Sequence, residues 1–183
     1  MRCWGSNGNG QLGAMTPTTT SRVPVTVASD LQNPQRVFAG STFACVTSAD
    51  GHIRCWGEGR SGQFGNGMLT TSTTASLVAL TGPFAGTALG DDFACTASGL
   101  GYRCWGNNNN GQLGNGSVAE DSEPVRTPSL LVGVTNPTLF ALGGSGGCAR
   151  LSTGSVVCWG ANAYGQIGDG TTEQRPTAVP VRW

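Results

Sequence analysis

The sequence contains no lysine, a single histidine and no long apolar run. All 10 basic residues are arginines, and they balance 10 acidic residues to a net charge of zero. Without a run of about 18 apolar residues the chain has no candidate transmembrane helix, and we predict no direct membrane insertion. A neutral chain also lacks the clustered positive charge that nucleic-acid binding requires, so we predict no nucleic-acid partner.

The scarcity of ionisable side chains argues against catalysis. One histidine, His52, cannot build a histidine-rich zinc site. As the base of a Ser–His–acid triad it would lie beside a predicted hairpin turn, exposed to water. Asp91 and Asp92 are adjacent, and neighbours on a strand point to opposite faces, which disfavours a shared acid–base site. We therefore predict that the chain is not an enzyme.

Two loop motifs resemble ligand sites but lack the context that such sites need. The segment GNGQLG at 8–13 matches the G-x-G-x-x-G dinucleotide fingerprint, yet AMTPTTTSRVP follows it where a helix is required. The loops NNNNGQLGNG and GDGTT are rich in residues that favour tight turns, and they hold too few acids for a typical calcium site. We predict no cofactor and no metal, with calcium left as an open alternative.

The sequence is rich in glycine, with 30 residues, and many of them belong to one repeated phrase. CWGSNGNGQLG returns as CWGEGRSGQFG, CWGNNNNGQLG and CWGANAYGQIG, with tryptophans spaced by 52, 49 and 54 residues. We interpret the repeated residues as structural, namely Trp4, Trp56, Trp105, Trp159, Gly13, Gly65, Gly114 and Gly168. A second phrase precedes three of the four tryptophans, so the chain holds three full units, 35–85, 86–136 and 137–183, after the back half of another, 1–34.

The local pattern within each unit predicts β-strands. Short apolar runs such as RVFAG, TFACVT and HIRCWG are bounded by Gly, Asp and Ser, which is typical of strands and hairpins. No stretch of ten residues shows apolar residues at helical spacing. A unit of about 50 residues with four short strands is typical of a propeller blade. We predict an all-β fold of four-stranded antiparallel blades, about three and a half of them, in a partial or oligomer-completed propeller.

Six of the seven cysteines flank predicted hairpin turns in pairs: Cys45 and Cys55, Cys95 and Cys104, and Cys148 and Cys158. Partners opposite each other in a tight hairpin have Cα atoms about 4.5–5.5 Å apart, close enough for a disulfide. The alternative is that they are reduced and buried as small apolar residues. We predict that Cys3 is unpaired or bonded to another chain. Three disulfides would indicate a secreted or cell-surface protein.

These phrases resemble the regulator of chromosome condensation repeat family, whose units carry a Trp-Gly followed by N-x-x-GQLG. The third and fourth copies match that phrase, and the second departs from it at Gly59. The four copies cover essentially the whole chain, and the cysteine-bearing form is similar to the extracellular bacterial branch. A histidine common in the family, two residues before the first cysteine of each pair, is replaced by Phe43, Phe93 and Gly146. We interpret this replacement as a change in packing.

The resemblance implies a propeller of usually seven blades, about twice what this chain holds. Members of the family include an exchange factor for a small GTPase, a plant ultraviolet receptor and a β-lactamase inhibitor. The exchange factor needs a basic surface and an inserted wedge, and the receptor needs tryptophan clusters flanked by arginines. This neutral chain, with four of its five tryptophans in the repeat, offers neither. The resemblance therefore favours a rigid face that grips another protein.

The positions that vary between copies are our candidates for partner binding. The two residues before each Gly-Gln pair differ from copy to copy while the turn is kept, which is how a scaffold presents a binding surface. We single out Arg60, Asn109, Asn110 and Tyr164, because arginine and tyrosine are common in binding hot spots. A second candidate is the acidic loop of Glu120, Asp121 and Glu123. Ordinary variation of exposed loops is the alternative explanation for both.

We therefore predict a non-catalytic, extracellular module that presents inter-strand loops to a protein partner. The alternative is a structural role, in which the chain completes a propeller or filament with other copies or with the rest of a longer surface protein, since open blades leave edge strands that seek partners. Glycan binding is a third hypothesis and would use the aromatics outside the repeat, Tyr102, Tyr164 and Trp183. Because the chain begins inside its own repeat, we expect any targeting segment to lie upstream.

Overall fold

Strands provide the regular structure in the described part of the chain. The computed structural model describes residues 1–14, 18–27, 31, 33–99, 101–119 and 122–183, and among them no helix is long and apolar enough to cross a membrane. The described strands, in sequence order, are β1 Arg2–Ser6, β2 Thr20–Thr26, β3 Pro34–Ala39, β4 Phe43–Ser48, β5 His52–Gly57, β6 Ser72–Thr81, β7 Phe84–Leu89, β8 Phe93–Ser98, β9 Gly101–Gly106, β10 Val125–Leu130, β11 Pro137–Leu142, β12 Gly146–Leu151, β13 Val156–Gly160 and β14 Arg175–Pro180.

These strands form three four-stranded antiparallel sheets and one two-stranded pair, each in sequence order. We call the pair β1–β2 the half-blade, and the sheets β3–β6, β7–β10 and β11–β14 blades 2, 3 and 4. Strand β7 contacts both β3 and β11, so the first strands of the three blades lie side by side around a common axis. The half-blade carries the Trp-Gly phrase on β1, as β5, β9 and β13 do, and therefore corresponds to the two outer strands of a blade.

The predicted all-β propeller of about three and a half blades is confirmed. The limits of the repeat units, 35–85, 86–136 and 137–183, stay a prediction. The first strands of the three complete blades begin close to those limits, at Pro34, Phe84 and Pro137.

The central hairpin of each blade places two cysteines opposite each other. Its register aligns Cys45 with Cys55, Cys95 with Cys104, and Cys148 with Cys158. Their sulfur atoms lie 2.13, 2.10 and 2.11 Å apart, so the predicted pairs are confirmed at disulfide distance. The Cα atoms are 4.1 Å apart in each pair, which is shorter than the separation of about 4.5–5.5 Å expected for opposite residues of a hairpin. Cys3 is free, because β1 pairs only with β2 in the described half-blade.

The apolar core lies between consecutive blades. Val27 and Leu31, which follow β2, pack against Ala44, Val46 and Trp56 of blade 2. Equivalent clusters between blades 2 and 3 and between blades 3 and 4 surround the next two repeated tryptophans. A sheet must cover its apolar face with another layer, and here the next blade provides that layer. Each blade therefore depends on its neighbours for burial, as expected of a repeat protein.

Each buried tryptophan also makes a directional bond to the blade before it. The indole nitrogens of Trp56, Trp105 and Trp159 donate to the backbone carbonyls of Gln11, Gln63 and Gln112 at 2.9, 2.8 and 2.9 Å. All three tryptophans are 0% exposed, and an unpaired indole N–H in such a place would cost about 1–3 kcal/mol. The repeated tryptophan and the repeated Gly-Gln phrase are therefore the two sides of one contact between blades.

The last glycine of the phrase lies directly against that tryptophan ring. Gly13, Gly65 and Gly114 have φ of 63°, 58° and 60°, in the left-handed region that other residues avoid. A Cβ atom at Gly65 would lie 2.7 Å from Cδ1 of Trp105, and one at Gly114 would lie 2.9 Å from Cδ1 of Trp159. The backbone conformation and the space taken by the ring both require glycine at these positions.

Replacing Gly65 by alanine should destabilise the chain more than replacing Gly67. Both residues have positive φ, 58° and 86°, so each replacement costs about 1 kcal/mol in backbone strain. At Gly67 the new Cβ meets no atom within 4 Å, whereas at Gly65 it meets the Trp105 ring, and overpacking adds about 1–3 kcal/mol. Urea denaturation of the two variants measures the difference, and equal free energies of unfolding would contradict the contact.

Alkylation of the denatured, unreduced chain should label one cysteine, Cys3, and labelling after reduction should reach all seven. Mass spectrometry counts the labels, and seven labels before reduction would mean that the three pairs are not disulfides. Burial raises the pKa of the Cys3 thiol, which lowers its thiolate fraction at neutral pH. Labelling of Cys3 in the folded chain should therefore be slower than in the denatured chain at pH 7 and should speed up as the pH rises.

Candidate partner-binding face

The repeated turns lie at one end of the blades, between the third and fourth strands, and we call this end the turn face. In blade 3 the buried side chain of Asn108 accepts a hydrogen bond from the backbone nitrogen of Leu113 at 3.0 Å and donates one to the carbonyl of Ser117 at 2.9 Å. Asn7 and Asn162 make equivalent pairs of bonds in the half-blade and in blade 4. One asparagine thus ties the tip of each of these turns to the returning chain.

Blade 2 lacks this asparagine and closes its turn by close backbone packing. A Cβ atom on Gly59 would lie 2.1 Å from the carbonyl oxygen of Thr70. The returning chain therefore leaves no room for a side chain at Gly59. The departure of the second copy from the N-x-x-GQ phrase is a local change in loop packing that leaves the rest of the turn in place.

A glutamine side chain holds the tip of every described turn. The side-chain oxygens of Gln11, Gln63, Gln112 and Gln166 accept hydrogen bonds from the backbone nitrogens two residues earlier, at 2.9, 2.9, 2.9 and 3.0 Å. Gln63 and Gln112 are buried, where such a bond replaces water. Because the backbone is held in this way, the side chains just before the glutamine vary without changing the turn.

The buried asparagines and glutamines are not among the residues that the sequence analysis singles out. Their signal is present, since glutamine occurs in all four copies and asparagine in three of them. Polar residues in a glycine-rich phrase are typical of exposed turns, and the sequence pattern does not distinguish a solvated turn from one sealed against the next blade.

The structure brings the four predicted binding residues to equivalent tips on the turn face. The side chain of Arg60 is 82% exposed, and Tyr164 is 93% exposed. Asn109 is exposed and Asn110 is half-buried. The Arg60 guanidinium is 3.9 Å from the Glu58 carboxylate, a long and exposed pairing that leaves it available to a partner. The role of these residues in binding stays a prediction.

The turns between the first and second strands of each blade share this end and lie nearer the axis. Asp91 and Asp92 occupy such a turn, between β7 and β8, so the expectation that they lie on a strand is wrong. Asn107, at the start of the outer turn, donates its backbone N–H to the Asp92 carbonyl at 3.1 Å and its side-chain N–H to the carboxylate at 2.6 Å. Burial raises the pKa of Asp92 despite this hydrogen bond.

The turn that presents Tyr164 is reinforced by a buried carboxylate. Arg175 Nε donates to Asp169 Oδ2 at 2.5 Å, and the Thr171 hydroxyl donates to Asp169 Oδ1 at 2.8 Å. Burial acts to raise the pKa of Asp169, but the hydrogen bonds from Thr171 and Arg175 outweigh it and hold that pKa at about 2. The carboxylate is therefore charged at neutral pH, and Asn162 contacts it at 3.3 Å. This network fixes the outer wall of the turn.

The acidic loop and the single histidine were the other candidate positions in the sequence. Glu120 and Asp121 lie outside the described residues, and Glu123 forms an exposed ion pair at 2.8 Å with the arginine three residues later. His52 lies at the opposite end of blade 2, with Nδ1 at 3.5 Å from the carboxylate of Asp50. In the described ranges no group of three or more His, Cys, Asp and Glu residues is placed to hold a metal ion.

Comparisons with solved structures support the fold. Human WBSCR16 aligns with a TM-score of 0.82 at 21% identity, over 100% of this chain and 48% of that one. Prp20p from Saccharomyces cerevisiae, which binds Gsp1p and histones, aligns at 0.84 and 18% identity, over 100% and 46%. The yeast RCC1 (Prp20) that is bound to Kap60 aligns at 0.83 and 18% identity, over 100% and 44%.

Sequence comparisons identify the repeat. The ultraviolet-B receptor UVR8 of Arabidopsis thaliana is 31% identical over 194 residues, which cover 100% of this chain and 42% of the receptor. The chain therefore spans less than half the length of these relatives. A model of the regulator of chromosome condensation (RCC1) repeat matches residues 3–47, 104–149 and 153–182, and a second model of that repeat matches 35–63 and 138–166. With most of its residues matched, the chain belongs to the regulator of chromosome condensation (RCC1) repeat family.

Proposed function

We propose that the chain is an extracellular, non-catalytic binding module that holds a protein partner on its turn face. The RCC1-like propeller supports a protein-interaction module in general, and its neighbours Prp20p and yeast RCC1 bind other proteins. One observation carries the proposal for this chain. Buried asparagine and glutamine side chains fix the backbone of the turns, while the exposed side chains at their tips differ from blade to blade.

Such an arrangement suits binding because the surface is ordered before the partner arrives. Ordering a loop on association costs free energy, and a loop that is already held by internal hydrogen bonds avoids that cost. Arg60 and Tyr164 supply the two anchors that binding hot spots favour. We expect the partner to offer a carboxylate to Arg60 and an apolar pocket to Tyr164, with polar contacts to Asn109 and Asn110 between them.

The extracellular setting rests on the three cysteine pairs. Disulfides persist in oxidising compartments and are rare in the cytosol, and each blade carries one pair at its centre. The proposal assigns no catalytic step to the turn face. His52 lies at the other end of its blade beside Asp50 and Arg54, away from the exposed tips.

Glycan binding has weaker support than protein binding. Sugars are held by exposed aromatic side chains with polar neighbours, and the sequence offers Tyr102, Tyr164 and Trp183 outside the repeat. Tyr102 stacks on Phe140 with ring centroids 5.6 Å apart, which occupies one of its faces. Tyr164 and Trp183 stay exposed, at 93% and 97%, so glycan binding depends on these two rings, whereas the proposed protein contact uses tips in three blades.

A second candidate function is assembly with other chains, and the exposure of Trp4 favours it. Trp4 is 66% exposed, whereas the other three repeated tryptophans are 0% exposed. A large apolar side chain exposed beside an incomplete blade favours a covering surface, supplied by another chain or by the rest of a longer surface protein.

The double variant R60A/Y164A should lose partner binding without unfolding. Each hot-spot side chain contributes at least about 2 kcal/mol on truncation, so the dissociation constant should rise at least about 30-fold even if one of the two carries most of the effect. The partner is captured from the culture medium of the source organism, identified by mass spectrometry and purified, and its affinity is then measured by biolayer interferometry.

The matched control is T153A/S155A, which changes two exposed residues in the β12–β13 hairpin at the opposite end of blade 4. It should bind the purified partner like the unchanged chain. Loss of affinity in this control with full affinity in R60A/Y164A would move the binding site to the opposite end and refute the proposal for the turn face.

A further inference from the structure

The half-blade and blade 4 each present one side of the contact that joins the blades inside this chain. In the three described internal contacts, a buried tryptophan of one blade donates to a glutamine carbonyl of the preceding blade and packs on its last glycine. The tryptophan side occurs once more at Trp4, at the start of the chain. The acceptor side occurs once more at the Gln166–Gly168 turn, near its end.

Trp4 is presented in the same way as its buried counterparts. The glycine after it, Gly5, has φ of 108°, and the equivalent glycines Gly57, Gly106 and Gly160 have φ of 105°, 111° and 102°. At Gly5 the backbone therefore already has the conformation found after the three buried tryptophans. Trp4 is nevertheless 66% exposed.

The acceptor turn of blade 4 is also formed in advance. Gly168 donates to the Gly165 carbonyl at 3.0 Å, as Gly65 donates to Gly62 at 2.9 Å, and its φ is 73°. A Cβ atom at Gly168 would meet Val181 at 3.1 Å, and no tryptophan of the described residues lies against this glycine. The turn thus has the geometry of an occupied acceptor without a ring on it.

An apolar cavity adjoins this acceptor. It has a volume of about 330 Å³, and its lining includes Leu142, Gly146, Trp159, Gln166 and Ile167. Gln166 and Ile167 belong to the acceptor turn, so the cavity and the turn form one continuous surface.

Gly146 explains why the cavity is open. Strand register places Gly146 opposite Gly160, as Phe43 lies opposite Gly57 and Phe93 opposite Gly106. Both phenylalanines are fully buried, each in a cluster that includes the tryptophan of the next blade. Blade 4 lacks that ring on the side that faces away from blade 3, and this leaves space beside the acceptor turn.

We propose that copies of this chain associate head to tail, with Trp4 of one copy seated on the Gln166–Gly168 turn of the next copy. The indole N–H of Trp4 donates to the Gln166 carbonyl, and its ring covers Gly168 and the mouth of the cavity. A second copy is the occupant that fits, because the same chain carries both sides of a contact that it already makes three times internally. The inference rests on the assembly role proposed above and does not use the exposed side chains of Arg60 and Tyr164.

Because the two surfaces differ, the interface is heterologous, and each copy in a pair keeps one unused surface. Sedimentation velocity on the purified chain should therefore show a mass that rises above 18.6 kDa with concentration. W4A and G168A should each weaken association at least about 30-fold, as expected for truncation or blocking of a central anchor.

Two matched controls should associate like the unchanged chain. M68A removes an exposed apolar side chain from a blade that already has both neighbours. G170A introduces alanine at a similar φ, 83° against 73° at Gly168, where the added Cβ meets only the Arg182 side chain at 3.8 Å or beyond. Circular dichroism and the thiol count show whether each variant keeps its fold.

Mixing W4A with G168A provides the decisive arm of the experiment. W4A keeps the acceptor turn and G168A keeps the tryptophan, so the equimolar mixture should form one complex of twice the 18.6 kDa chain mass and grow no further. A chain that stays monomeric up to about 100 µM would overturn the proposal and assign both surfaces to blades of a longer chain. Association that survives in both single variants, or that is lost in M68A, would also overturn it.

Discussion

Cohesion in this chain depends on one contact, in which an indole N–H crosses a blade boundary to a glutamine carbonyl while a glycine lies against the ring. At Trp105, for example, the indole donates to the Gln63 carbonyl at 2.8 Å, the ring lies over Gly65, and an apolar cluster surrounds the ring. The bond is short and buried, so it specifies how the blades are aligned, and the apolar cluster supplies most of the driving force. Each of the three described blade boundaries contains this contact, which accounts for the repeated phrase.

The same glutamine connects cohesion to the turn face. Its backbone carbonyl accepts a hydrogen bond from the tryptophan of the next blade, and its side-chain oxygen accepts one from the backbone of its own turn. Gln63, for example, accepts from the indole of Trp105 and from the backbone nitrogen of Ser61. The residue that aligns two blades therefore also sets the position of the neighbouring exposed side chain, Arg60. The proposed binding surface is therefore held rigid by the packing of the scaffold itself. Because the glutamine holds the backbone, the exposed side chains at the tips can differ between blades while the repeated phrase stays the same.

Much of this could be predicted from the sequence, because strand alternation and hairpin symmetry are local. The symmetry of Cys45 and Cys55 about one turn was enough to predict their pairing, and the period of the tryptophans was enough to predict blades. The partner of each tryptophan was not predictable, since it lies about 45 residues away in another blade and no local pattern records it. The space beside Gly146 was not predictable either, because whether a missing ring leaves a cavity depends on what packs against that side of blade 4. The turn that holds Asp91 and Asp92 is equally hard to predict, because a short connection between strands has no strong sequence signal of its own.

The most direct test of the central contact is hydrogen exchange of the five tryptophan indoles, followed by NMR. Trp56, Trp105 and Trp159 should exchange at least about 1000-fold more slowly than Trp4 and Trp183, because their N–H groups are released only when blades separate. Measurement in dilute solution keeps Trp4 free of other copies. Fast exchange at all five indoles would mean that the blades are not held by these bonds and would contradict the account.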